Sequence, residues 1–359
     1  MRIAIITYDE YINIPYIQKY EKHIIGNGDC YDVILWDRRN CGGNHPDNHY
    51  VFQGKAQKSK LSKIIPFLQW RRFTLKILQA EQYDKLVILT TIPGILIFDL
   101  LIKKYKGNFF FDLRDFTYEG FGPYKKLVNL IVSKSAVTSI SSKAFMKFLV
   151  PAPQIVVAHN ISNDNVIQES LQWPSNKKRL TIGFVGGIRY FEENCLLLTK
   201  LKNSARYSLR YVGKVHAGCD LEAFSEKNNI TNAEFFPVYD NSQKPEIYRQ
   251  IDLINAVYGN KSPEVKLALP NKLYDCVIFR KPIIVSQGTY LAEIVEQYHL
   301  GIAIDIEKDD IKMTLDKYLA GFDARQFEEG CREFLKLAQQ EEMKAEERIA
   351  NFLKERVIS

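Results

Sequence analysis

Residues 269–286 place the start of a helix directly before a buried strand, a succession typical of a layered α/β domain. Pro270 has a fixed φ and no N–H, so it suits the first turn of a helix. Leu273 and Val277 follow with the spacing of one buried helical stripe. The β-branched run 283–285 then indicates a strand that is buried on both faces of a parallel sheet. In such sheets, ligands bind at the carboxyl ends of the strands, where the helices begin.

The first turns of this predicted helix carry Lys272 and Asp275, which are three residues apart and share one face. Two interpretations fit this spacing. The side chains form an ordinary exposed ion pair, or they bind a ligand at the helix N-terminus. Free N–H groups at that terminus favour an anion such as a diphosphate.

Strand-like and helix-like segments alternate along the whole chain, and 359 residues fit two domains better than one core. We predict a doubly wound domain over 1–165, a polar linker over 166–179, a second doubly wound domain over 180–335 and a last helix over 336–359. The last helix is expected to cross back to the first domain. No Gly-x-Gly-x-x-Gly follows the first strand, which disfavours a dinucleotide enzyme.

Residues 40–57 are polar and rich in turn residues, and they are predicted to form a loop. The loop contains His45 and His49, but no further ligands cluster near them, so solvated histidines are favoured over a metal site. No Asp-x-Asp ends a predicted strand either. We therefore expect no metal.

The six cysteines are scattered without close pairs, which gives neither a disulfide framework nor a zinc ribbon. The chain shows no secretory signal, and Pro93 and Asp99 interrupt its longest apolar stretch, 86–102. A cytoplasmic location is the expectation.

Basic residues are concentrated in the first half, with 22 basic and 14 acidic residues in 1–165 against 27 and 28 in 166–359. This half is expected to meet an anionic partner. Between Lys55 and Arg72, basic residues alternate with Trp70 and other aromatics, which suits a peripheral contact with the inner face of an anionic membrane. A solvated amphipathic helix packed on the domain fits equally well. No helix-turn-helix, RNP or finger pattern supports nucleic-acid binding.

The stretch beginning Leu269-Pro270-Asn271-Lys272-Leu273-Tyr274-Asp275 resembles the donor-site helix of GT-B glycosyltransferases of family 4, in the capsule and exopolysaccharide branch. The resemblance implies two Rossmann-like domains that face each other across a cleft. Asp275 falls where this family binds the ribose of a nucleotide sugar. Two positions depart from the pattern, because Arg280 replaces a glycine and Leu267 replaces the first motif glutamate.

The resemblance also implies a diphosphate loop at the first strand of the second domain. Gly186 and Gly187 would let backbone N–H groups approach the ligand, and Arg189 would bind phosphate oxygens. Tyr190 follows them in this loop, and Asn271 and Lys272 would complete the donor site.

The sugar and the acceptor have separate candidates. The candidates for contacting the sugar are Tyr258, Glu264 and His159. A structural role for His159 fits as well. Arg114 and Asp115 end a strand of the first domain. Asp115 is predicted to contact the acceptor hydroxyl, and Arg114 to orient that carboxylate or steer a phosphate. The alternative for Arg114 is a structural ion pair with an aspartate.

The sequence therefore predicts a metal-independent, retaining glycosyltransferase of bacterial surface-polysaccharide synthesis, with a nucleotide sugar as co-substrate and no other cofactor. A UDP-linked donor is the expectation, with a saccharide or polyprenyl-pyrophosphate-linked acceptor. A non-catalytic GT-B partner subunit and a nucleotide-sugar epimerase stay open as alternatives.

Overall fold

The computed structural model describes residues 1–11, 14, 16–37, 45–54, 64–161 and 177–356. The chain divides into two compact units. The first combines Met1–Asn160 with the C-terminal segment that starts at Gln340, and the second is Ile161–Gln339. Most of the predicted linker, 166–176, lies outside the described residues.

The first unit is built on parallel strands with helices between them. The strands are β1 (Arg2–Ile6), β2 (Cys30–Asp37), β3 (His49–Gln53), β4 (Lys85–Leu89), β5 (Phe109–Leu113), β6 (Val137–Ile140) and β7 (Ile155–Val157). The helices are α1 (Ile17–Gly26), α2 (Ile64–Ala80), α3 (Thr91–Leu96), α4 (Phe98–Lys103) and α5 (Gly122–Lys134), with a 3₁₀ turn at Lys143–Lys147. The sheet order is β3-β2-β1-β4-β5-β6-β7.

The second unit repeats this plan. Its strands are β8 (Leu180–Val185), β9 (Tyr207–Val212), β10 (Ala233–Phe236), β11 (Leu253–Ala256), β12 (Ile283–Ser286) and β13 (Gly301–Ile304), in the order β10-β9-β8-β11-β12-β13. Its helices are α6 (Phe191–Lys200), α7 (Leu221–Lys227), α8 (Lys244–Arg249), α9 (Pro263–Leu267), α10 (Asn271–Phe279), α11 (Tyr290–Gln297), α12 (Ile311–Ala320) and α13 (Ala324–Lys354), with a 3₁₀ turn at Asn241–Gln243.

Each sheet is doubly wound, as predicted, and its strand order reverses direction at one point. In the first unit this switch point lies between β1 and β4, and in the second it lies between β8 and β11. Continuous apolar runs such as 3–6 and 283–285 are fully buried because helices cover both faces of a parallel sheet. Ligands bind such sheets in the crevice at the carboxyl side of the switch point.

The predicted loop over 40–57 is wrong in part, because β3 occupies His49–Gln53 and pairs in parallel with β2. The run Tyr50-Val51-Phe52 has high β propensity, but turn residues on its N-terminal side hid that signal. No cluster of three or more metal-ligating side chains occurs in the described part of the chain.

The last helix returns to the first unit, as predicted. Ile349 and Leu353 of α13 are fully buried in the core cluster that contains Ile3 and Ile5 of β1. Polar contacts fix the helix as well, since Lys19 Nζ lies 2.7 Å from Glu342 Oε1. The fold thereby closes the first unit with residues from the far end of the chain.

Helix α2 differs from its predicted membrane-facing pattern. Trp70 is fully buried, and Phe67 packs edge-on against Trp36 with ring centroids 5.3 Å apart. The exposed apolar residues are instead Ile64, Ile65 and Leu68. The basic residues predicted at 55–63 lie outside the described residues. Within the described ranges, no helix combines the length and hydrophobicity that a membrane span requires.

We expect Ile349→Ala to lower the free energy of unfolding by about 2–4 kcal/mol, because it leaves a cavity where α13 meets the first sheet. Urea unfolding would measure this change. Met343→Ala on the same helix is the control, since Met343 is exposed and its loss should cost no more than about 0.5 kcal/mol. Equal effects of the two substitutions would contradict the docking of α13.

Candidate functional site

The switch point of the second sheet is lined by glycines that allow backbone segments to approach closely. Gly186 follows β8 with φ +118°, a conformation that favours glycine, and its carbonyl oxygen contacts Gly213 after β9. A Cβ atom at Gly187 would lie 2.7 Å from His216 Nε2, so no side chain fits there without displacing the imidazole. The backbone conformation at Gly186 thus favours glycine, and glycine at 187 leaves room for the imidazole of His216.

Lys272 lies in the first turn of α10 and is buried, with 6% of its surface exposed. Its Nζ is 3.4 Å from the ring centroid of Phe184 on β8 and donates a 3.0 Å hydrogen bond to the hydroxyl of Tyr258. Tyr190 stacks on Tyr258 with ring centroids 4.4 Å apart. We call Phe184, Tyr190 and Tyr258 the aromatic box. Residues of the box occupy positions around the amine that water molecules would take around an exposed ammonium.

The charge on Lys272 is only weakly supported by its surroundings. Among the described residues, no carboxylate lies within ion-pair distance of its Nζ. Burial lowers the pKa of Lys272 to about 7. The charge of Asp275 opposes that shift, whereas the positive charges of Arg189 and Lys244 add to it.

Asp275 lies one turn further along α10 and is also buried, with 7% of its surface exposed. Its carboxylate accepts hydrogen bonds from Lys244 Nζ at 2.9 and 3.2 Å and from Tyr248 OH at 2.8 Å. The interpretation of Lys272 and Asp275 as an exposed ion pair is therefore wrong, since both side chains are buried and Asp275 pairs with Lys244 instead. Sequence reasoning missed Lys244 and Tyr248, because only the tertiary fold brings α8 to α10.

The other predicted donor residues surround Lys272 in different ways. Arg189 is exposed, and its guanidinium makes no hydrogen bond to any described residue. Tyr190 has a left-handed backbone (φ +61°) at the start of α6, which turns its ring onto Tyr258. Asn271 is exposed at the N-terminus of α10. Together these residues present one exposed and one buried cation beside a helix N-terminus.

The two departures from the family pattern have clear structural settings. Arg280 ends α10 with φ +53°, the left-handed position at which glycine is usual, so the departure places mild strain there. Leu267 ends α9 and is half-buried, while Glu264 is exposed in the first turn of the same short helix. The described structure thus places no carboxylate at position 267.

His159 lies in the first unit and binds the last helix. Its backbone N–H donates to Glu342 Oε2 at 2.6 Å, and its Nε2 lies 2.9 Å from Glu341 Oε2. Lys143 also pairs with Glu341, and both partners lower the pKa of this carboxyl group. These contacts favour the structural role for His159 over a contact with a sugar.

Arg114 follows β5 and is buried, with 8% of its surface exposed. Its Nε lies 2.9 Å from both carboxylate oxygens of Asp112, and its Nη1 donates to Asn160 Oδ1 at 3.1 Å. Asp115 is exposed at the next position. The alternative interpretation of Arg114 was a structural ion pair with an aspartate, and the structure contains such a pair with Asp112. Arg114 Nη2 is buried without a hydrogen-bond partner in the described part of the chain.

Glu119 is a buried carboxyl group that sequence reasoning missed, with 2% of its surface exposed. Its Oε2 accepts a 2.5 Å hydrogen bond from the backbone N–H of Thr117, while Oε1 has no partner among the described residues. Burial raises the pKa of Glu119. Thr91 links the same region, because it accepts from Tyr124 OH at 2.8 Å. In the sequence, Glu119 is followed by Gly120, and this local pattern does not predict a buried side chain.

Thr90 marks strain at the same edge of the first sheet. It follows β4 with φ +70° and ψ 168°, a conformation that is rare for a β-branched residue. Its Oγ1 is buried and has no hydrogen-bond partner within the described ranges. Strained backbone and unpaired polar atoms at the carboxyl end of a parallel sheet are typical of a ligand site.

Comparison with known proteins gives structural but not sequence relatives. No family model matches the chain, and no curated protein matches it. Sucrose-phosphate synthase from Thermosynechococcus elongatus superposes with a TM-score of 0.69 and 12% identity, over 98% of this chain and 96% of that one. HepE of Anabaena, solved with UDP and glucose, gives 0.65 and 14%, over 98% and 99%. WaaG, a glycosyltransferase involved in lipopolysaccharide biosynthesis, gives 0.62 and 14%, also over 98% and 99%.

The chain has the GT-B fold. The likeness spans nearly the full length of both chains in each comparison, and both doubly wound sheets take part. At 10–15% identity among the similar structures, the comparison shows the fold alone and assigns no branch of the fold.

We expect Lys272→Met to raise the free energy of unfolding by about 1–3 kcal/mol at pH 7, because it removes a buried amine whose pKa is lowered from 10.5 to about 7. The unpaired Tyr258 hydroxyl offsets part of the gain. The gain should shrink as the pH rises from about 7 towards 10.5, where the unfolded chain also loses its proton.

Urea unfolding at several pH values would measure this stabilisation. Lys312→Met is the matched control, since Lys312 is exposed on α12 and its loss should change stability by no more than about 0.5 kcal/mol at any pH. A destabilised Lys272→Met protein at pH 7 would show that the amine is well compensated in its box.

Proposed function

We propose that the protein is a glycosyltransferase that transfers a sugar from a nucleoside-diphosphate sugar to a saccharide or lipid-linked acceptor. The observation that carries the proposal is the buried Lys272 amine, which lies at a helix N-terminus beside the switch point and has no carboxylate partner within the described residues. Such a group suits the diphosphate of a nucleotide sugar. HepE, which has the same fold, was solved with UDP, and this supports UDP as the nucleotide.

In this proposal the donor binds through groups of the second unit. The N-terminus of α10, Lys272 and Arg189 stabilise the charge that develops on the departing diphosphate, and Gly187 lets the backbone approach it. Asp275 binds the ribose, because its carboxylate has about four acceptor positions and Lys244 and Tyr248 use three of them. No metal is required, since these groups supply the positive charge.

The acceptor is proposed to bind at the carboxyl edge of the first sheet. Asp115 is exposed there and is the proposed contact for the acceptor hydroxyl, whereas the unpaired oxygens of Glu119 and Thr90 are buried. Arg114 is a positioning residue, since Asp112 holds its guanidinium. Positioning of donor and acceptor then supplies much of the rate. Retention of configuration belongs to this proposal through the resemblance alone.

A place in surface-polysaccharide synthesis at the inner face of the cytoplasmic membrane is also part of the proposal. Helix α2 supports it with a different set of residues from those expected. Ile64, Ile65 and Leu68 are more than half exposed, and Arg72 and Lys76 extend the same face with positive charge. This face could insert its apolar side chains among anionic lipid headgroups. A polyprenyl-pyrophosphate-linked acceptor would be found at the same surface.

A second candidate is a non-catalytic partner subunit with the same fold. Leu267 favours it, because the family that the sequence resembles has its first motif glutamate at this place. The candidates differ in turnover. Release of UDP from a UDP-sugar by the purified chain would support the enzyme. Binding of the UDP-sugar with no release of UDP, whichever acceptor is added, would support the non-catalytic subunit.

We expect UDP to stabilise the protein by about 2.7 kcal/mol when its concentration is one hundred times the dissociation constant. Thermal unfolding with and without UDP would measure this. Lys272→Ala and Asp275→Asn should lose most of the shift, since each removes a proposed contact, whereas Lys312→Ala on α12 should keep it. If both site variants respond as the parent does, the donor site is misassigned.

We expect Leu68→Asp to weaken binding to vesicles that contain anionic lipid, because it places a charge in the exposed apolar face of α2. Sedimentation with anionic and with neutral vesicles would measure this. Met313→Asp is the control, since Met313 is similarly exposed on α12 of the second unit. Equal losses in both variants, or equal binding to neutral vesicles, would contradict the proposed surface.

A further inference from the structure

The amine of Lys272 is held where a charge is poorly solvated before any ligand arrives. Its Nζ faces the ring of Phe184 at 3.4 Å and the ring of Tyr258 at 5.2 Å, and its one hydrogen-bond partner among the described residues is the Tyr258 hydroxyl. The two rings favour a cation, but each contributes only about 0.5–2 kcal/mol, which is less than the cost of removing an ammonium from water.

The charged groups that face this amine come from three other elements besides its own helix. Asp275 on α10 favours the protonated form, but Lys244 on α8 already pairs with that carboxylate. Arg189, in the loop after β8, opposes protonation, and so does Lys244. Tyr258, after β11, has its own pKa raised by burial and stays neutral near pH 7. No group in the described part of the chain therefore holds Lys272 fully charged.

We propose that the second unit takes up one proton when it binds a nucleoside diphosphate, and that the Lys272 amine receives it. This inference rests on the proposed function. A diphosphate at the N-terminus of α10 brings negative charge next to the amine and so favours its protonated form. Without ligand, the aromatic box surrounds a neutral amine. When the diphosphate binds, the amine gains a proton, and the resulting ammonium binds a phosphate oxygen.

The affinity should consequently depend on pH in one direction. The pKa of Lys272 in the free protein is about 7, so the amine is mostly neutral above that pH and must gain a proton on binding. The dissociation constant should rise by up to about tenfold for each pH unit between 7 and 9. A group that stays charged throughout, as arginine does, would give no such dependence.

Calorimetry with UDP tests this directly on the parent chain. Titrations at pH 8 in two buffers with different enthalpies of ionisation give the number of protons taken up for each UDP bound. The terminal phosphate of UDP is ionised at this pH, because such phosphates have a pKa of about 6. We expect an uptake close to one proton at pH 8, and a smaller uptake at pH 7.

Two variants assign the proton. Lys272→Arg retains a positive charge at every pH used, so it should bind UDP without proton uptake and with little dependence on pH. Arg189→Ala is the matched control, because it removes an exposed proposed phosphate ligand that does not titrate and should weaken binding. Proton uptake should persist in this variant, although the loss of the Arg189 charge raises the pKa of Lys272 and so reduces the uptake.

The possible results separate this inference from the proposed function. UDP binding by the parent chain with no proton uptake at pH 8 would overturn the inference and leave the donor site standing. Uptake that persists in Lys272→Arg would assign the proton to another group and overturn it too. No binding of UDP at any pH would overturn the proposed nucleotide and the inference together.

Discussion

The site of the second unit depends on the burial of the Lys272 amine, whose loss of water is unfavourable and is only partly offset by the ring of Phe184. An amine that loses its water and gains no carboxylate is held at a cost in stability. Its environment can compensate only with two ring faces and one tyrosine hydroxyl. At the switch point, a side chain at Gly187 would meet the imidazole of His216, so glycine lets these two segments lie close together. The arrangement therefore leaves the amine without a countercharge among the described residues, as the proposed diphosphate site requires.

The neighbouring carboxylate explains why Lys272 stays unneutralised. Asp275 is only one turn away on the same helix, yet it accepts its hydrogen bonds from Lys244 and Tyr248 of α8. Since α8 supplies its own cation to Asp275, this acid cannot hold a full charge on Lys272. The two side chains thus have different surroundings. Asp275 keeps about one acceptor position beyond those used by Lys244 and Tyr248, whereas the amine of Lys272 lacks a strong acceptor among the described residues.

The fold could be predicted from the sequence because buried parallel strands are continuous apolar runs, as in 3–6 and 283–285. The edge strand β3 was missed because it is only half-buried and follows turn residues. Within the site, the position of Lys272 at a helix N-terminus was accessible from the pattern after Pro270. Its ring partner Phe184 lies in a strand far away in the sequence, and local patterns carry no information about such contacts. The burial of Glu119 was missed as well, because local sequence patterns do not report how the rest of the fold covers a side chain.

Leu267 stands where the family that the sequence resembles has its first motif glutamate, and this substitution bears on the proposed function of the second unit. Near α10 this unit offers the Lys272 amine, helix N–H groups and the Asp275 carboxylate, which Lys244 and Tyr248 already hydrogen-bond. In the proposed function these groups would stabilise a leaving diphosphate and bind the ribose. In the first unit, Asp112 is saturated by Arg114, Tyr20 and Ser139, whereas Glu119 has one oxygen without a partner among the described residues. Carboxyl groups in such contrasting environments divide into structural and reactive roles. The unpaired oxygen of Glu119 is itself buried, so the exposed Asp115 stays the proposed contact for an acceptor hydroxyl.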